Sequence, residues 1–108
     1  MSYRVRLTHR ARIQLFNIAS WWASHRSLEE AARWLQGFDD LIDQLGTDPD
    51  RHPLASESHR FGVELRQINY GLKRKKTHRA VFEVRDDEVV VHAIRHLSQE
   101  EVGLSDLN

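Results

Sequence analysis

The residues from Gly62 to Gln99 constrain the fold most. They contain VELRQINYG, LKRKK, THRAVFEV, RDDE and VVVHAIRH, three short apolar runs parted by one strongly basic turn and one acidic turn. Runs of this length, rich in Val, Ile, Phe and Tyr and bounded by polar turns, predict strands. Short connections pair successive strands antiparallel, so a three-stranded meander carrying Arg, Lys and His is expected. A sheet this small needs an apolar cover, and the upstream residues must supply it.

The acidic turn sets a register. With Asp86-Asp87 as a two-residue hairpin loop, Arg85 faces Glu88, Val84 faces Val89, Phe82 faces Val91 and Ala80 faces Ala93. One face then carries Val84, Phe82, Ala80, Val89, Val91 and Ala93 and is expected to lie on helices. The other carries Glu83, Val81, Arg79, Val90, His92 and Ile94, with Thr77 and His96 at its end, and is expected to stay partly open. In the first run Val63 and Leu65 are out of phase with Ile68 and Tyr70, which predicts a bulge or early turn near Gln67.

Upstream, Tyr3, Val5 and Leu7 alternate with Arg4 and Arg6, as in a strand with one polar face. Thr8 stands where an N-cap belongs. Ala11, Leu15, Ile18 and Trp22 then recur at helical spacing, with an end expected near Ser24 to Arg26. Ser27 and Glu30 read as a capping box for a second helix, in which Leu28, Ala31, Leu35, Phe38, Ile42 and Leu45 form the seam. Gly46 and Pro49 end it. Two helices with so short a link make an antiparallel hairpin. Asp48 to Arg60 holds both prolines and reads as a loop of about a dozen residues. Ser98-Gln99-Glu100-Glu101 is a second capping box, predicting a short helix to about Leu104. The expected fold is α+β: an N-terminal strand, a helical hairpin, a three-stranded antiparallel meander and a short C-terminal helix in one domain.

The chain is 108 residues with 40% hydrophobic and 30% charged content, as expected for a globular domain with one modest core. Its formal net charge is zero, but charge is unevenly placed. Arg60, Arg66, Lys73, Arg74, Lys75, Lys76 and Arg79 are accompanied by Glu64 alone, whereas Leu28 to Asp50 is acidic. A local basic field can still attract a polyanion. The absence of cysteine excludes disulfides and is compatible with a cytoplasmic setting. No run approaches a membrane span, and the start has no apolar signal core.

Together, YRVRLTHRA, LIDQLGTDPDRHP, FGVELRQINYG and THRAVFEVRDDEVVVHAIRH resemble the RelE/ParE superfamily of toxins from bacterial toxin–antitoxin modules, known as plasmid stabilisation proteins. The resemblance spans nearly the whole chain through order and spacing rather than one sharp motif. It implies a toxin bound by a cognate antitoxin, as a homodimer or as a heterotetramer with it, with no cofactor and no membrane partner. RelE-like members cut mRNA on the ribosome; ParE-like members inhibit DNA gyrase. The Trp-bearing hairpin resembles the ParE side. His78-Arg79-Ala80-Val81-Phe82 resembles the nuclease side, where an Arg at this place stabilises the cleaved phosphate. By that match Arg79 carries over. Arg95 and His96 match the end of the last strand, but the aromatic residue that follows in nucleases is missing here.

RNA cleavage by 2′-hydroxyl attack needs a base, a cationic clamp and an acid. Glu64 or His96 is the candidate base, Arg66 and Arg79 the clamp, and His92 or His96 the acid; no metal is required. Lys73, Arg74, Lys75 and Lys76, with Arg95 and His92, are candidates for nucleic-acid or target contact. Each has a plainer reading. Glu64 can simply pair with Arg66 or a lysine, Arg79 with Glu83 or an antitoxin carboxylate, and His92 can be a structural histidine. The lysine-rich turn can be a solvated one. His25, His52 and His59 fall in loops, and His78, His92 and His96 lack a metal-binding spacing. Trp21, Trp22 and Trp34 exceed what so small a core usually needs, so partner contact stands beside core packing for them. Three functions follow: a gyrase-type inhibitor, a ribosome-dependent ribonuclease, or a relic that only binds antitoxin.

Overall fold

The computed structural model describes residues 2–98, the side chain of Phe61 excepted. β1 is Arg4–Leu7, α1 is His9–His25 and α2 is Leu28–Gln44. A 3₁₀ turn at Pro49–Arg51 and a short α3 at Ser58–Phe61 follow. The meander is β2 at Arg66–Tyr70, β3 at His78–Arg85 and β4 at Glu88–His96. The sheet order is β1-β4-β3-β2, with β1 parallel to β4 and the other pairs antiparallel. The helix expected after Ser98 lies outside the described residues.

Local chemistry sets the helix ends. The Thr8 hydroxyl accepts from the Ala11 N–H at 3.1 Å and donates to the His92 carbonyl at 3.4 Å, tying the start of α1 to β4. Ser27 Oγ accepts from the Glu30 N–H at 3.0 Å. The return half of that expected capping box is not made. The Ser27 N–H donates to the Trp22 carbonyl at 3.1 Å, and the Glu30 carboxylate takes Arg26 at 3.2 Å. Closing α1 and an ion pair satisfy both groups instead.

The core stripe of α2 is Ala31, Trp34, Phe38 and Ile42, continued by Leu45. It is rotated from the expected seam. Leu28 is 79% exposed, and Trp34 rather than Leu35 is fully buried. Trp34 offers more apolar area than Leu35, and the helix turns its larger residue inward. Trp34 stacks on Phe38, and both meet Tyr70 edge-on. The Tyr70 hydroxyl donates to the Trp34 carbonyl at 2.9 Å. Ala80, Phe82, Val89, Val91 and Ile94 complete this core beneath the helices.

The expected hairpin register holds from Arg85↔Glu88 to Phe82↔Val91 and then changes. Val81 pairs with Ala93 and Ala80 with Ile94, so His92 is an extra residue in β4. The bulge lies here, not near Gln67, where β2 runs unbroken. Ala93 and Ile94 therefore exchange the faces expected for them: Ile94 joins the helix-side core, and Ala93 packs with Ala55, Leu65 and Val81 on the other face.

That other face is not open. The segment expected to be a bare loop runs along the edge of β2, with Ala55 N–H to Leu65 O at 2.7 Å and Gln67 N–H to Pro53 O at 3.0 Å. It buries Ala55, Glu57 and Leu65 against the back of the sheet. An apolar patch of Val81 and Ala93 gains more from this cover than from water.

Candidate functional site

Arg79 points to the covered face. It is 7% exposed, and Glu57 opposite it is fully buried. Arg79 Nη1 donates to Glu57 Oε1 at 3.0 Å and to Gln67 Oε1 at 3.2 Å, while Nη2 donates to Glu57 Oε2. Two charges out of water survive only by facing each other with such two-pronged geometry. Glu57, not the expected Glu83, is the partner. The fork that would hold a phosphate already holds a carboxylate.

Arg66 is on the opposite face. It stands across from Phe82, whereas Arg79 stands across from Asn69, an odd number of residues away along β2. Its guanidinium donates to the His52 carbonyl at 2.6 Å and to Glu64 Oε1 at 2.7 Å, with Asp50 at 3.8 Å. The expected clamp of Arg66 and Arg79 is thus split by the thickness of the sheet. Glu64 is spent on Arg66, in keeping with the plainer reading of that residue.

His92 is 1% exposed and its Nε2 lies 2.9 Å from Glu83 Oε1. Burial would raise the Glu83 carboxyl, but hydrogen bonds from Arg85 and His92 outweigh it and hold it below its usual range. The arrangement is a structural network on the back face. Arg95 is the register partner of Arg79.

His96 is carried by the bulge to the helix side, against expectation, where it faces His78 with ring centroids 5.1 Å apart. His78 is pushed down to about 4, chiefly by burial and then by His96. Its Nδ1 lies 2.8 Å from Thr77 Oγ1. Both rings line a cleft of about 590 Å³ with Asn17, Ile18, Trp21, Trp22 and Arg26 from the α1 end, and with Lys73 and Thr77. Lys73, Arg74, Lys75 and Lys76 are all exposed. Their loop is tightly closed: Thr77 N–H donates to Tyr70 O at 2.9 Å, and a Cβ on Gly71 would meet the Lys75 carbonyl at 2.1 Å.

The structure therefore brings together His78, His96 and Lys73, and keeps Arg66, Arg79 and His92 apart from them. Glu57 was not among the expected site residues, and the cleft tryptophans Trp21 and Trp22 were expected only as core or partner contacts. Glu57 carried only a weak signal, an acid just before a basic stretch. Among the described residues no group of three or more His, Asp or Glu could hold a metal ion, and no helix is long and apolar enough to cross a membrane.

A four-stranded sheet under a helical hairpin is also the fold of a solved toxin–antitoxin structure. The solved structure described as a chromosomal ParDE TA system from P. aeruginosa matches with a TM-score of 0.71 over 90% of this chain and 98% of that one, at 18% identity. That likeness is one of fold. Residues 5–101 match the family described as ParE toxin of type II toxin–antitoxin system, parDE, and the chain belongs to that family. No curated protein sequence matches it significantly.

Proposed function

We propose that this toxin acts in the cytoplasm by binding its target rather than by cutting it, that the target is DNA gyrase, and that a cognate antitoxin neutralises it. The observation that carries the reading is the dispersal of the nuclease set. Arg79 is locked to Glu57, Arg66 is on the other face of the sheet, and neither lines the cleft that holds His96. Transition-state stabilisation needs donors already aimed at the reacting phosphate, and among the described residues Arg66, Arg79 and His96 do not converge on one point. What the molecule does present is contact surface. Phe16 is 70% exposed and Ile13 47% on the outer side of α1, and the Lys73–Lys76 loop stands in solvent. Such features suit a protein partner.

The test is direct. Purified protein is added to a gyrase supercoiling reaction and, separately, to a translation reaction with labelled mRNA. The expected result is lost supercoiling with intact message. Fragmented message with normal supercoiling would replace this reading with the ribonuclease one. Co-expression with the cognate antitoxin, followed by mass measurement, gives the stoichiometry of the antitoxin complex.

A further inference from the structure

We infer that the cleft between α1 and the ends of β3 and β4 is a nucleotide-binding site, with the base against Trp21 and Trp22 and the phosphate toward Lys73 and Arg26. A volume of about 590 Å³ lies in the usual range for small-ligand sites. Its walls are of two kinds. One is indole: Trp21 is 51% exposed, and it is held in place by stacking on His25 at 4.7 Å and by an edge contact with Trp22 at 5.7 Å. Every nucleobase has a face that such rings can cover.

The other wall is cationic. Among the described residues lining the cleft there is no carboxylate. Arg26 is steadied at the rim by Glu30 at 3.2 Å. Lys73 makes no ion pair among the described residues, and Arg74, Lys75 and Lys76 continue the charge beside it. Thr77 Oγ1 against His78 Nδ1 at 2.8 Å sets that ring, with Nε2 left as a donor when the hydroxyl donates to Nδ1. The Asn17 amide adds a group that can donate and accept. An apolar peptide would leave the cations idle, and bare phosphate would leave the indoles uncovered. A planar base joined to a phosphate uses both.

Two sources share this chemistry: a free nucleotide, and one unit of a single strand. They are separated by titrating AMP, ATP and an eight-nucleotide single-stranded RNA into the protein while following tryptophan fluorescence at low salt. Saturable quenching that weakens as salt rises is expected. Binding of AMP or ATP identifies a free-nucleotide site; binding of the RNA alone identifies a strand site. Trp21→Ala and Lys73→Gln are each expected to weaken binding, by about tenfold for the loss of one stacked ring. Both positions are exposed, so circular dichroism should report an unchanged fold. No binding of any probe, or affinity unaltered in both variants, overturns the inference. The measurement contains no gyrase, so its failure and that of the proposed function are separate results.

Discussion

Glu57 and Arg79 form a buried, two-pronged ion pair between residues 22 apart in sequence, and this pair fastens the covering segment to the back of the sheet. Removing one partner leaves the other charged and dry. Glu57→Ala should therefore cost about 3–5 kcal/mol, read as a lower midpoint in urea unfolding. Replacing both together, as Glu57→Leu with Arg79→Met, should recover most of that loss. A single-variant loss below about 1 kcal/mol would mean water reaches the pair. The double variant also separates folding from chemistry. Growth arrest that survives it excludes a chemical role for Arg79, whereas Arg79→Ala alone cannot distinguish a missing catalyst from a missing strut.

Gly37 on α2 lies beneath the Tyr70 ring: a Cβ there would come 2.1 Å from the phenolic oxygen. An alanine normally stabilises a helix interior by about 1 kcal/mol over glycine. Here the clash is expected to win, and Gly37→Ala should lower the melting temperature. Adding Tyr70→Phe removes the clashing atom, so the double variant should be more stable than the sum of the two single changes predicts. Simple additivity would count against this packing.

The buried His78 makes stability depend on pH. Its folded value of about 4 lies below the ordinary 6.5, so between these two values the unfolded chain binds the extra proton. Stability from this group is intact above about pH 6.5 and falls as pH drops toward 4, by about 3 kcal/mol at most. Urea midpoints at pH 7 and pH 4.5 should show the drop, and His78→Asn should reduce it. An equal drop in the variant would assign the effect to other groups, Glu83 among them.

Phe16 is mostly solvent-exposed, so Phe16→Asp should change stability by no more than about 0.5 kcal/mol. If the outer side of α1 meets a partner, the same change should weaken a pull-down of antitoxin or gyrase. Unaltered binding to both would remove this surface from the interaction.

Much of the architecture was legible because its signals are local. Thr8 and Ser27 mark helix starts within a few residues of the turns they cap, and Asp86-Asp87 places the β3–β4 hairpin. Trp34 was left out of the α2 seam, though core packing stood open for it, because neighbouring apolar residues, Trp34 and Leu35, both fit a helical stripe and only the sheet beneath chooses between them. The site was less legible. The burial of Glu57 depends on a segment folding over strands that come later in the chain. The extra residue at His92 has no glycine or proline to announce it, and a single step of register decides which residues share a face.

That unpaired residue in β4 has an effect out of proportion to its size. Under strict alternation His96 would look away from the helices, and the space beneath Trp22 would have no second imidazole. Deleting one residue at this point would spare the turn and the strand pairing nearest it, yet erase the recess at the far end of the ribbon. A family member that keeps both aromatic neighbours but has lost the extra residue should carry a differently furnished hollow, whatever its overall likeness to this chain.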